Sequence, residues 1–142
     1  MVFTKRPKNF NPKFEVVCLH CEFDGKLLFL HRQDHKPEGN TWGMPAGKVE
    51  VGESPAASIL REVAEELSLV LMEENLEFLM TVFVEFPTYE FIYHIFKYKF
   101  IELPEIKINL NEHKDSTWVT PEEALKLNLI EGEEECIRLT CF

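Results

Sequence analysis

Apolar and polar residues follow two different periods along the chain, and the switches between them outline the elements. Residues 14–20 and 26–30 are short runs rich in Val, Leu and Phe. Asp24-Gly25 between them suits a tight turn, so the pair predicts an antiparallel hairpin. Residues 31–47 carry two Pro, three Gly and mixed charge, which suits an irregular loop. Ser54-Pro55 then supplies an N-cap followed by Pro at the first helical position, and the pattern runs unbroken to about residue 68. Residues 76–86 and 90–101 read as a second hairpin joined by Pro87-Thr88-Tyr89. A short strand at 117–119 follows, Thr120-Pro121-Glu122-Glu123 opens another helix, and a last helix runs to about residue 139. Residues 1–13 read as a flexible or loosely packed start to a single domain of residues 1–142. Strands and helices are interspersed without a regular βαβ alternation, so the expected class is α+β, with helices packed on a mixed, partly antiparallel sheet.

Composition narrows the function. Hydrophobic residues make up 45% and charged residues 28% of the chain, a globular balance that argues against disorder. A formal net charge of −10 disfavours stable, sequence-independent binding of nucleic acid, which needs many Lys and Arg against phosphates. The basic residues near the start precede no apolar run of signal-peptide length, and no stretch is long enough to span a bilayer. The expectation is a cytoplasmic protein, monomeric or homodimeric, with no membrane partner. Cys18 and Cys21 have C-x-x-C spacing, but on a strand they fall on opposite faces, so a shared metal or redox role is not expected. The five His share no ligand spacing and suggest no zinc site.

The predicted helix carries the candidate chemistry. At about 100° per residue, Ala56, Ile59, Leu60, Val63 and Leu67 fall along one side and Ser58, Glu62, Glu65 and Glu66 along the other. The three carboxylates stand at i, i+3 and i+4, close enough to repel one another when ionised. A hard divalent cation relieves that repulsion, and magnesium is commonly held by a few carboxylates together with water and substrate phosphate. A solvated acidic face is the plain alternative, and the helix alone favours it.

A longer pattern shifts the balance. The order G-x5-E-x7-R-E-U-x-E-E-x-G-U, with U a large aliphatic, is met by Gly47, Glu53, Arg61, Glu62, Val63, Glu65, Glu66 and Leu69, with Ser68 in place of the last Gly. Six fixed residues at about one in twenty each give a chance agreement on the order of 10⁻⁸ per start position. The segment resembles the box of the Nudix (MutT-like) hydrolase family. The approach, Trp42 to Glu50, is similar too, with Ala46 where a second Gly is common. So is the later stretch with Glu112-His113, Trp118-Val119 and Glu122-Glu123-Ala124.

The resemblance implies the Nudix fold, an α/β/α sandwich, and a magnesium-dependent attack of water on a diphosphate linkage in a nucleoside di- or triphosphate or related derivative. Manganese is the expected substitute ion. It implies Glu62 and Glu66 as main metal ligands, with Glu65 completing the metal shell or activating water, and the Gly47 carbonyl as a further ligand. Glu53 and Arg61 would hold loop and helix in register, and Glu112 would supply another ligand or a base. Arg32 and Lys48 are candidates for phosphate oxygens. Trp42, with Phe86, Tyr89 and Trp118, either stacks on a base or packs in the core. Ser68 stands where a left-handed C-cap favours Gly, so it implies a backbone penalty or a different helix exit. Two other readings stay open: a nucleotide-sensing module of weak or no activity, motivated by Ser68, and a diphosphate isomerase, for which no acid/base pair outside the box is apparent.

Overall fold

The computed structural model describes residues 1–142. Its frame is a mixed sheet of β1 (Val2–Phe3), β2 (Phe14–Phe23), β3 (Lys26–Arg32), β4 (Trp42–Gly43), β5 (Ala46–Lys48), β6 (Glu77–Glu85), β7 (Glu90–Lys99) and β8 (His113–Val119). The helices are α1 (Pro55–Leu67), α2 (Pro121–Ala124) and α3 (Glu133–Cys141). Strands run in the order β1-β6-β7-β2-β3-β4, with β5 added to β2 and β8 to β3. The β2–β7 pair is parallel, from Phe14 opposite Phe91 to Glu22 opposite Lys99, and the other pairs are antiparallel.

Alternation along β2 decides which helix covers which face. Val17, Leu19 and Cys21 pack with Ile59, Val63 and Leu67 of α1. Cys18 points the other way and packs with Val82, Ile95 and Cys136 of α3, while Leu27 and Phe29 meet Ala124 and Ile137. Helices therefore cover both faces, in the sandwich layering the sequence implied. Cys18 and Cys21 lie on opposite faces as free thiols, each walled into a different cluster.

Both hairpins form where the pattern placed them. Asp24 and Gly25 take φ of 50° and 75°, the two positive values that a two-residue turn with the right twist requires. In α1, Ser54 Oγ accepts from Ala57 N at 3.1 Å and Pro55 fills the first turn. Ser68 ends α1 at φ 58° and ψ 35°, its N–H donating to the Ala64 carbonyl at 3.1 Å. The helix thus exits as it would at glycine.

Three expectations need correction. The opening residues are not loose: β1 pairs with β6, and Phe10 is buried edge-on against Phe83. The predicted loop at 31–47 is shorter, because β3 runs on to Arg32 and β4 and β5 fall inside it, each held by a partner distant in sequence. The helix opened by Thr120 forms with a full capping box, as expected, and is one turn long; the chain at 128–130 then pairs with Trp42. Ser58 is fully buried rather than on the acidic face; its small hydroxyl sits 3.5 Å from the Lys48 carbonyl.

Candidate active site

The chain leaving β5 turns through residues 49–54 into α1, and Arg61 fastens that turn from the helix side. Its Nε donates to Glu53 Oε2 at 2.7 Å and one terminal nitrogen to Glu53 Oε1 at 3.0 Å, a two-pronged pair matched to the planar guanidinium. The same nitrogen reaches the Lys48 carbonyl at 3.1 Å, and the other donates to Glu62 at 2.9 Å and Glu65 at 3.3 Å. Glu53 Oε1 also accepts the Glu50 N–H at 3.0 Å. Hydrogen bonding from Arg61, with that backbone bond, holds the Glu53 carboxyl down at about 2.

The three carboxylates of α1 meet different surroundings. The Glu65 side chain is 58% exposed, whereas that of Glu62 is 14% exposed and lies against Gly47. A Cβ at residue 47 would overlap the Glu62 carboxyl, so glycine is needed there for closeness. Glu66 is sealed further, and its Oε2 is buried without a hydrogen-bond partner. Burial, helped by the charges of Glu62 and Glu112, pushes Glu66 up to about 8. Burial also raises Glu62, against the pull of Arg61.

Glu112 arrives from the segment between β7 and β8. That segment is stitched to the end of α1, where Lys107 N donates to the Leu67 carbonyl and Asn109 N to the Glu66 carbonyl, each at 3.0 Å. Glu112 is held by Lys36 Nζ at 2.8 Å, which lowers its carboxyl below the ordinary value. No three His, Cys, Asp or Glu side chains close into a ready-made metal cage.

A cavity of about 590 Å³ opens beside these groups. Gly47, Lys48, Glu66, Phe86, Tyr93 and Glu133 are among the residues that line it. Arg32 lines it while donating through Nε to the Pro37 carbonyl at 2.9 Å, and Lys48 rests its ammonium 4.2 Å from the Phe14 ring centre. Phe86 and Tyr89 line the cavity as well. Trp42 and Trp118 do not: Trp42 stacks on His31 with ring centres 4.2 Å apart, and Trp118 packs edge-on to Phe23 and Phe100.

Sequence reasoning passed over Lys36, His113 and Glu133. His113 is 8% exposed with Nδ1 unpartnered, and burial, aided by Arg32, lowers it to about 4. Glu133 sits in an acidic run from Glu131 to Glu135 and is only 4% exposed. Only Glu112-His113 carried a signal, as part of the later Nudix-like stretch.

Comparison with known proteins places this geometry. The NUDIX domain pattern matches residues 12–140. The chain is 30% identical to the CTP pyrophosphohydrolase of Escherichia coli (strain K12) over 117 residues, 81% of this chain and 82% of that one. A crystal structure of a MutT NUDIX hydrolase from Burkholderia pseudomallei superposes at a TM-score of 0.78 with 20% identity, covering 91% of this chain and 98% of that one. A bifunctional NMN adenylyltransferase/ADP ribose pyrophosphatase from Francisella tularensis, complexed with AMP and a Mn ion, matches at 0.73 with 24% identity, over 93% of this chain and 42% of that one. With the domain matched almost end to end, and Gly47 and Glu66 of the box lining one cavity, the chain belongs to the Nudix family and is a hydrolase acting on diphosphate bonds.

Proposed function

We propose that this hydrolase uses magnesium, with manganese as a substitute, to cleave the diphosphate linkage of a nucleoside di- or triphosphate or a related nucleotide derivative. The observation that carries the reading is the buried, unpartnered Oε2 of Glu66, which lines a cavity of nucleotide size, with the mostly buried Glu62 one helical turn before it. Two raised carboxylates with a free oxygen fit a hard divalent cation, and the missing cage suits an ion that completes its shell with water and phosphate. The chemistry such an ion supplies is neutralisation of diphosphate charge and activation of a water.

Glu62, Glu66 and the Gly47 carbonyl would hold the ion in this reading, with Glu112, paired with Lys36 in the structure, as a further ligand. Arg32, Lys48 and Lys36 would serve substrate phosphate. Glu65 reaches solvent and is steadied by Arg61, so it is placed to accept a proton from the attacking water. Glu53 touches none of this directly; through Arg61 it fixes the turn that presents Gly47. Trp42 stacks on His31 and does not line the cavity, so this reading gives it no role.

The test is phosphate or pyrophosphate release from a nucleotide panel with magnesium, comparing the wild type with Glu65→Gln and Glu66→Gln. Each variant is expected to lose about 10²-fold or more in kcat on the best substrate. Equal rates in all three proteins would overturn the assignment.

A further inference from the structure

Gln33 follows directly on β3 and spends all its donors but one on a single short stretch far along the chain. Its backbone N–H donates to the Glu112 carbonyl at 3.0 Å, and its side-chain Nε2 donates to the Leu110 carbonyl at 2.8 Å and the His113 carbonyl at 3.3 Å. Three of the four carbonyls from residue 110 to residue 113 thus accept from one residue. The ladder between β3 and β8 slips in register between His31 and Arg32. Gln33 takes over where that ladder ends.

The turn that carries Glu112 has little packing to place it. Leu110 is 67% exposed, so its apolar side chain anchors nothing. Inside the turn, the N–H groups of Glu112 and His113 both donate to the Asn109 carbonyl at 3.0 Å, and that of Asn111 donates to Asn109 Oδ1 at 3.0 Å. Those bonds give the turn its shape, with Asn109 collecting the donors. Gln33 meets the acceptors, and it ties the turn to the sheet. An amide NH₂ carries two donors, which is what two converging carbonyls require, and neither a carboxylate nor an aliphatic side chain can replace it. Three residues on, Lys36 holds the Glu112 carboxylate itself at 2.8 Å.

We propose that Gln33 is a positioning residue for Glu112: its bonds to the carbonyls of residues 110, 112 and 113 preset the Glu112 carboxylate for the cation that Glu66 takes. This rests on the reading above that Glu112 is a further metal ligand. A ligand on a loose turn has to be ordered when the ion binds, and the free energy of that ordering is subtracted from the affinity; a turn fixed beforehand avoids the loss. Gln33 itself touches neither ion nor substrate.

The test is titration of the metal-free protein with manganese, the free ion being counted by electron paramagnetic resonance. The proteins are the wild type, Gln33→Met, Glu112→Gln and the double variant. Methionine keeps the length of the side chain and loses both amide donors. Each single substitution is expected to weaken manganese binding by about tenfold, the lower end of what the outer partners of metal ligands supply. In the Glu112→Gln background, Gln33→Met should add less than about twofold, because the group it acts through is gone.

An equal loss in both backgrounds makes Gln33 a general structural tie and overturns the proposal. So does wild-type affinity in Gln33→Met, or a Gln33→Met chain that circular dichroism shows to be unfolded. Wild-type affinity in Glu112→Gln overturns it whatever becomes of the Gln33 variants. Glu66→Gln in the same titration keeps the two readings apart. Loss of manganese there, with no effect at Glu112 or Gln33, defeats this inference and spares the metal-dependent hydrolysis; wild-type affinity in Glu66→Gln defeats the metal assignment on which both stand.

Discussion

Ser68 holds a left-handed backbone conformation that a side chain makes unfavourable, and the side chain itself is exposed and makes no bond that repays it. Ser68→Gly should therefore stabilise the protein by about 1 kcal/mol, read as a rise of a few degrees in Tm, with kcat unchanged. The idea of an inactive sensing module drew on this one departure, and the geometry removes its ground, because α1 ends as it would with glycine. Single residues were legible in the sequence where the family pattern fixes their spacing, from Gly47 to Glu66. Glu133 and Lys36 were not, because what makes each notable comes from a partner far along the chain: Met44 for one, Glu112 for the other. No local spacing encodes those meetings.

Among the elements, α1 was the most legible, since cap, proline and apolar stripe all agree on one helix. The short strands β4 and β5 were hidden because two or three residues show no period, and only their pairing with β3 and β2 makes them strands. α2 shows the converse, a clear start signal followed by a helix of one turn, after which the chain pairs with Trp42. The join between β5 and α1 depends on one guanidinium that serves five acceptors at once. A lysine keeps the charge and loses the fork. Arg61→Lys is expected to lower stability by about 1–3 kcal/mol and kcat by at least tenfold, measured by chemical denaturation and steady-state kinetics. A variant as stable and active as the wild type would show that the turn holds itself.

At the scale of the whole molecule, buried titratable groups set how stability follows pH. His20, buried and near Lys97, is lowered to about 4, and His113 likewise, so the unfolded chain takes up their protons first as pH falls below 6.5. Their contribution is complete above 6.5 and lost towards 4. Glu66 and Glu133 run the other way: raised to about 8 and 7 from 4.5, they contribute fully below 4.5 and lose that contribution as pH rises through their folded values. Between 4.5 and 6.5 the two pairs oppose each other. Above 6.5 only the carboxyls act, so the protein stripped of metal by a chelator should lose about 2–3 kcal/mol between pH 6.5 and 8. Denaturant melts across that range are the measurement; a flat profile would contradict the burial of these carboxyls. Glu66→Gln should remove about half of the loss or more, and added magnesium should oppose it by drawing on the ionised form.

The two backbone bonds that tie residues 107 and 109 to the last carbonyls of α1 carry a consequence for motion. Glu66 is at once a buried carboxyl and the residue whose carbonyl steadies Asn109, three positions before Glu112. A shift of the helix end displaces the segment that brings Glu112 in, and a pull on Glu112 is returned to Glu66 by the same route. Glu66 and Glu112 are therefore linked through the backbone, and a displacement of one is passed on to the other.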